Sequence, residues 1–454
     1  MSDMTGLAAP AADEATRRQL RRAVIASTVG TSIEWYDFFL YGSAAALVLN
    51  QQYFPNVDPT SGVLLAFGTN FVGFAARPVG AAIFGHYGDR IGRKATLVVT
   101  LALMGIGTFL VGVVPPYASI GILGAVLLTI LRAVQGIGVG GEWGGSVLLA
   151  MEWGAKTGRR GFLASWPQFG VPVGLLLSNG MLALVTALTG PNFATWGWRI
   201  PFLISIVLVG VGLWIRLGIL ETPIFTRLLE EKRTSAAPVA EVLRKNWREV
   251  ILTCLLRTGQ QAPFYIFWTY VLLYATGTLQ LQRQEVLNDT LIASGVSLLT
   301  VPLWGHVSDR FGRRRTYMFG AAAMALFAWP YFALLDTRIP GLVLLAIILA
   351  PVVHDMQYGP QAAFIAEAFP PRVRYSGASL GYHLASITAG GPAPIIAAYL
   401  LSQFGTSLAI VGYIIVCALI SLWSAAVLPD RTTVDIDVEV QQVQHSLLRE
   451  RTVP

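Results

Sequence analysis

The chain has 454 residues, of which 54% are hydrophobic and only 13% are charged, and its formal net charge is +7. A soluble domain carries roughly 25% charged residues, so most of this chain is excluded from water. The basic excess is no sign of a nucleic-acid partner, because it gathers in the N-terminal segment, alternate loops and the C-terminal tail, the asymmetry that orients membrane proteins.

Residues 1–22 are polar and include Arg17, Arg18, Arg21 and Arg22. No small-residue cleavage site follows a short apolar core, so they read as a cytoplasmic segment and not as a cleaved leader. Twelve apolar runs follow, each able to cross roughly 30 Å of hydrocarbon as a helix, at roughly 23–48, 63–86, 95–114, 120–150, 162–189, 198–220, 249–276, 287–307, 317–336, 341–366, 378–402 and 407–428. Six of them fall within 23–220 and six within 249–428, separated by a polar, helix-prone connector at 221–248. The tail, 429–454, alternates briefly from Val434 and then turns polar; it is too short for a coiled coil. The fold expected is an all-α integral membrane protein with twelve transmembrane helices in two pseudo-symmetric six-helix bundles. Loop charge places both termini in the cytoplasm. Cys254 and Cys417 fall inside predicted helices and read as packing residues.

An internal repeat supports the two halves. Gly85-His86-Tyr87-Gly88-Asp89-Arg90-Ile91-Gly92-Arg93-Lys94 returns 220 positions later as Gly305-His306-Val307-Ser308-Asp309-Arg310-Phe311-Gly312-Arg313-Arg314. Each copy is a basic hairpin between apolar runs. Glu152 precedes Arg159 by seven residues, and Glu367 precedes Arg374 by seven, both after the fourth helix of a half. Duplicated acids and bases at a membrane surface suit ion pairs that hold one conformation and break in another. Asp89, Arg90, Arg93, Glu152, Arg159, Asp309, Arg310, Arg313, Glu367 and Arg374 are therefore gating candidates, set against plain topogenic charge.

Ionisable residues inside the spans are costly, roughly 2.5–3.5 kcal/mol or more at a helix centre, and so mark function. Glu34 and Asp37 share one face of the first helix. Two carboxylates in a low dielectric resist double ionisation, which makes both candidates for proton coupling. Arg132 is a candidate carboxylate ligand through its planar fork, or else a partner locked to Glu34 or Asp37. Arg257 is a second anion ligand from the other half, or a snorkelling residue. Asp355, beside His354, reads as a proton relay or as the partner of Arg257. Tyr36, Tyr41, Gln168, Gln261, Tyr265, Tyr358 and Gln361 are candidate cavity-lining residues. Glu142, among glycines, reads as an inter-helix anchor, His383 as a hydrogen-bonded packing residue, and Arg77 as structural and linked to Asp89.

The hairpins resemble the loop signature of the major facilitator superfamily. Ile33-Glu34-Trp35-Tyr36-Asp37-Phe38-Phe39-Leu40-Tyr41-Gly42, Leu131-Arg132-Ala133-Val134-Gln135-Gly136, Gly140-Gly141-Glu142-Trp143-Gly144-Gly145, Trp196-Gly197-Trp198-Arg199-Ile200-Pro201-Phe202 and Val373-Arg374-Tyr375-Ser376-Gly377-Ala378 resemble its bacterial metabolite:proton symporters, and His354-Asp355-Met356 with Gly381-Tyr382 is most similar to the shikimate type. That resemblance implies alternating access, proton-driven uptake across the bacterial inner membrane and a monomer. With the arginines, it points to symport of a small organic anion: a mono-, di- or tricarboxylate or a shikimate-like acid. Uptake of a zwitterion such as proline or betaine, and a non-transporting sensor, are the alternatives. No phosphate-binding loop and no Cys/His metal spacing is present, so an ATP-driven pump, an enzyme and a resident cofactor or metal are not expected.

Overall fold

A computed structural model describes residues 8–57 and 59–434. The expected tail beyond Val434 and the first seven residues lie outside the described residues. Twelve long helices run in chain order. The first six are α1 (Ala8–Ala44), α2 (Pro59–Gly88), α3 (Arg93–Val113), α4 (Leu123–Trp153), α5 (Arg160–Thr189) and α6 (Arg199–Leu217). The second six are α7 (Trp247–Tyr265), α8 (Arg283–Phe311), α9 (Arg313–Asp336), α10 (Pro340–Glu367), α11 (Arg374–Ala385, resumed as Ala393–Phe404) and α12 (Leu408–Val427). Short helices Pro223–Glu230 and Pro238–Lys245 occupy the connector. The described residues contain no β-strand.

Among the described residues, nine of the twelve are long and apolar enough to cross a membrane by length and composition. The other three, α1, α2 and α7, carry Glu34 and Asp37, Arg77, and Arg257. Buried ionisable groups also sit in helices that pass this test, Arg132 and Glu142 in α4 and His354 and Asp355 in α10.

Helix partners repeat with an offset of six. In the first half α1 packs on α5, α2 on α4, α3 on α4 and α3 on α6; in the second α7 packs on α11, α8 on α10, α9 on α10 and α9 on α12. The halves meet along α2 against α11 and α5 against α8, which are again equivalent pairs. This is a twelve-helix membrane fold of two pseudo-symmetric six-helix bundles, as the hydropathy pattern predicts.

Two features shape the seam. Pro263 in α7 removes a backbone donor, and a π-helical turn, Ile266–Tyr270, follows within three residues; α11 has a corresponding π-helical turn at Ser386–Gly390. Interior prolines and π-turns are tolerated in membrane helices when neighbours satisfy the freed groups, and such bulges concentrate at functional sites. The hairpins turn at Gly92 (φ 132°) and Gly312 (φ 91°), the same position in each repeat. Both angles disfavour a residue with a Cβ.

Candidate substrate and proton site

Asp37 and Arg132 form a buried ion pair, Nη1 to Oδ2 at 3.0 Å. The same carboxylate accepts from Thr108 Oγ1 (2.8 Å) and Gln135 Nε2 (3.0 Å). Arg132 also donates to Gln135 Oε1 (2.9 Å) and Asn70 Oδ1 (2.7 Å), and its guanidinium lies 4.1 Å from the Tyr41 ring centre. Four helices of the first half thus converge on one charge-assisted network. Glu34, one turn away, is not part of it. Its Oε2 is buried without a hydrogen-bond partner.

A small cavity runs from this pair to Glu34, Arg77, Phe38 and Phe74. Arg77 does not reach Asp89. Twelve residues of helix separate them, roughly 18 Å at 1.5 Å per residue. Its guanidinium instead lies over Phe74 at 4.5 Å, Phe38 at 5.6 Å and Trp35 at 6.0 Å. The cage is completed across the seam: Phe74 and Phe38 contact Tyr265, and Trp35 contacts Phe264, both of α7.

In the second half, Arg257 donates to Tyr382 O and to Ser386 Oγ (3.1 Å), with its guanidinium 3.2 Å from the Tyr382 ring centre. It does not pair with Asp355. Asp355 accepts from Ser297 (2.6 Å), Thr300 and His354 Nδ1 (2.8 Å). The other ring nitrogen of His354 meets the Gln260 side-chain amide at 2.7 Å, so the ring bridges Asp355 and Gln260. His354, Tyr358, Ser297, Phe264 and Trp268 line a second small cavity against α1 and α5.

The remaining candidates divide. Tyr358 lines the second cavity, Tyr265 packs edge-on against Phe74 behind the first, and Gln261 is buried on α7 beside Gly390. Tyr36 is turned away and donates to Pro201 O (2.9 Å); Tyr41 bonds Thr69 Oγ1 (2.5 Å). Gln168 accepts from Trp143 Nε1 (2.9 Å), and Gln361 donates to Tyr317 (3.1 Å). His383 is not hydrogen-bonded as expected: both its ring nitrogens are buried without partners among the described residues. Glu142 is held by Arg216, an ion pair with Thr100 and Ser146 added. Arg216 was not foreseen, because at the end of an apolar run it reads as an interfacial charge.

At the hairpin end the halves are tied shut. Asp89 accepts from the backbone of Tyr375 (3.2 Å) and of Ser376 (2.9 Å), while Asp309 accepts from the backbone of Gly161 (2.8 Å) and Phe162 (2.9 Å). Arg93 lies 3.4 Å from both Asp89 and Glu152 and donates to Pro371 O (3.3 Å). Arg313 pairs with Asp309 (2.8 Å) and lies 3.5 Å from Glu367. Trp143 and Tyr382 stack across the seam at 3.6 Å.

The first seven-residue pairing, Glu152 with Arg159, is corrected by this geometry, while Glu367 keeps Arg374 within electrostatic reach beside its ion-pair partners. Glu152 meets Arg93, and Glu367 meets Arg160 (3.3 Å) and Arg313. The chain turns after α4, which leaves Arg159 exposed and aims the next residue, Arg160, inward. Arg374 is buried and donates to Phe369 O (3.0 Å). Arg90 and Arg310 are exposed, outside the ties.

Twelve helices in two equivalent halves, with buried charges along their seam, define a polytopic membrane transporter and not an enzyme. The sugar (and other) transporter family matches residues 22–247 and 227–431, and the chain belongs to that family. The shikimate transporter of Escherichia coli K12 is 42% identical over 417 residues, covering 90% of this chain and 94% of that one. The inner membrane metabolite transport protein YhjE of the same organism is 40% identical over 390 residues, covering 85% and 88%. The proton:xylose symporter XylE bound to 6-bromo-6-deoxy-D-glucose superimposes with a TM-score of 0.73 at 18% identity, over 94% of this chain and 99% of that one, a likeness of fold alone.

Proposed function

We propose that the chain is a proton-coupled symporter that takes up a small organic anion across the bacterial inner membrane by alternating access, with the hairpin end and both termini cytoplasmic. The observation that carries the anion is the charge balance of the seam. Arg77, Arg132 and Arg257 are buried there against Glu34 and Asp37. Around Glu34 and Asp37 three guanidiniums, always protonated, face two carboxylates, so that cluster with both acids ionised holds one positive charge in excess, while Asp355 lies apart from it with its own donors in Ser297, Thr300 and His354. A carboxylate substrate neutralises it, and a proton on Glu34 or Asp37 restores the need for one. Asp355 with His354 is a further ionisable pair on the second half's side.

The 42% identity to a shikimate transporter supports a hydroxylated organic acid, and the basic hairpin and tail support the orientation. The ties of Asp89, Asp309, Arg93 and Arg313 act as the latch that closes the cytoplasmic end. The test is uptake into proteoliposomes under an imposed inward proton gradient, with labelled shikimate, α-ketoglutarate, citrate and betaine. Accumulation of one acid, collapsed by a protonophore, is the expected result. Accumulation of betaine alone makes the chain a compatible-solute carrier, and binding with no accumulation makes it a sensor.

A further inference from the structure

The three buried arginines of the seam are not equivalent. Arg132 is engaged by Asp37, Asn70 and Gln135, and only its Nε lacks a partner. Its charge is already balanced, and a substrate carboxylate gains little by competing with Asp37 in a network of four helices. Arg77 is the opposite case. It is 4% exposed, lies on the faces of Phe74 and Phe38, and has no hydrogen-bond or ion-pair partner among the described residues. Arg257 contacts a carbonyl, a hydroxyl and a ring, but no carboxylate. Its Nε is also buried without a partner.

The two guanidiniums, one from each half, share Glu34 as a carboxylate within electrostatic reach, and a buried cation in excess is expensive, so the pair is short of one negative charge. The groups around them are unfilled too. Glu34 Oε2, Tyr265 Oη and both nitrogens of His383 are buried and unpartnered. All three side chains lie within electrostatic reach of both Arg77 and Arg257. Orphaned donors on both sides of a seam are rare unless something is meant to occupy it.

We propose that Arg77 and Arg257 form the clamp for the substrate carboxylate, that Glu34 is the resident counter-ion the substrate displaces and takes up the coupling proton as it yields, and that Arg132 stays with Asp37. This rests on the organic-anion reading above and assigns its residues. The charges balance. The empty site holds two guanidiniums and the Glu34 carboxylate; the loaded site holds the same guanidiniums, the substrate carboxylate and neutral Glu34. One proton enters with one carboxylate, and neither half is left with a new unpaired charge as the seam opens at either end. The clamp draws one guanidinium from each half, so a bound carboxylate also links the halves that must move together.

The experiment uses the full chain in proteoliposomes, with the acid that the unaltered protein accumulates from the panel of shikimate, α-ketoglutarate and citrate. If it accumulates none, the organic-anion reading itself fails. If it accumulates one, Arg77→Gln and Arg257→Gln are each expected to raise the half-saturation concentration roughly 100-fold, since truncating one partner of a buried charge pair has effects of that order. Arg77→Lys, which keeps charge but loses the fork, is expected to raise it roughly 10-fold. Glu34→Gln is expected to keep substrate counterflow, lose accumulation driven by the proton gradient, and bind the acid independently of pH between 6 and 8. Unchanged half-saturation in Arg77→Gln, or gradient-driven accumulation by Glu34→Gln, overturns the clamp while leaving organic-anion transport standing. If Arg77→Gln does not insert, Arg77→Lys and the counterflow of Glu34→Gln decide the matter.

Discussion

Asp89 accepts hydrogen bonds from both the backbone N–H (2.9 Å) and the hydroxyl (2.8 Å) of Ser376, 287 positions away in the chain. Ser376 is in the first turn of α11, so the hairpin acid of one half caps a helix of the other. Asp309 does the same at Gly161 and Phe162, the first turn of α5. An anion at a helix N-terminus gains from the unsatisfied N–H groups and the helix dipole, and hydrogen bonds to a charged group are worth ~1.5–3 kcal/mol. Asp89→Ala, which removes both acceptor oxygens and strands those N–H groups at the seam, is therefore expected to shift the balance between closed and open hairpin ends toward open by an order of magnitude or more. A Ser379→Cys reporter, buried at the seam and placed in a background without Cys254 and Cys417, reads this as faster labelling by a membrane-impermeant thiol reagent. An unchanged rate means that the cap does not hold the end shut.

The same residue makes closure depend on pH. Burial pushes the Asp89 carboxyl up to about 6 in this state, against the opposing pull of Arg93 and the Ser376 donors. With the hairpin open to water the carboxyl returns to its ordinary value of 3.8. The closed state thus binds the proton more tightly, and acid favours it by linkage. That contribution is fully present below 3.8 and is lost as pH rises through 6. Labelling of the Ser379→Cys reporter should slow as the hairpin side is acidified from pH 7 toward 4, and Asp89→Asn should flatten the profile. A slope unchanged by Asp89→Asn assigns the titration to another group.

Hydropathy and the duplicated hairpin were enough to read the twelve spans and the two halves, because apolar length and loop charge are set locally. The buried network was less legible. Asp37 with Arg132 is a pairing of residues 95 apart, and the sequence left open whether Arg132 meets Glu34, Asp37 or a ligand. Arg77 was misread toward Asp89 because nearness to the hairpin in sequence was taken for nearness in space; helix rise alone separates them. Its position three residues after Phe74 on one helical face was the usable signal. The hairpin pairs Asp89–Arg93 and Asp309–Arg313 lie four residues apart, a spacing the sequence shows, but the ties across the seam do not, because each of these aspartates finds its backbone donors on the opposite half.

Glu142 and Arg216 allow a stability test that leaves the seam arginines untouched. The pair is buried between α4 and α6. Removing one member of such a pair strands the other and costs ~3–5 kcal/mol, whereas replacing both with uncharged residues of similar volume is often close to neutral. Arg216→Met is thus expected to lower the unfolding midpoint in detergent sharply, and Glu142→Gln with Arg216→Met to recover most of the loss. If the double variant is as unstable as the single one, the pair does more than compensate its own charges.

Gly136 and Gly140, one turn apart on α4, lie directly on the backbone of α2: a Cβ at Gly136 would meet Gly73 O, and one at Gly140 would meet Arg77 O and the backbone of Gly80. Small residues at i and i+4 let membrane helices approach this closely, and here the approach sets the position of the helix that carries Arg77. Backbone cannot yield as a flexible side chain does, so Gly140→Val should push α2 outward, at ~1–3 kcal/mol or more for the overpacking. Arg77 should be displaced with it, so uptake should fall further than stability alone explains. Gly210→Val on α6, where a Cβ meets nothing within 4 Å, is the control and should leave both unchanged. Measuring the unfolding midpoint and initial uptake rate of the two variants separates the outcomes. Normal uptake in a folded Gly140→Val protein would show that the α2–α4 spacing does not position the site.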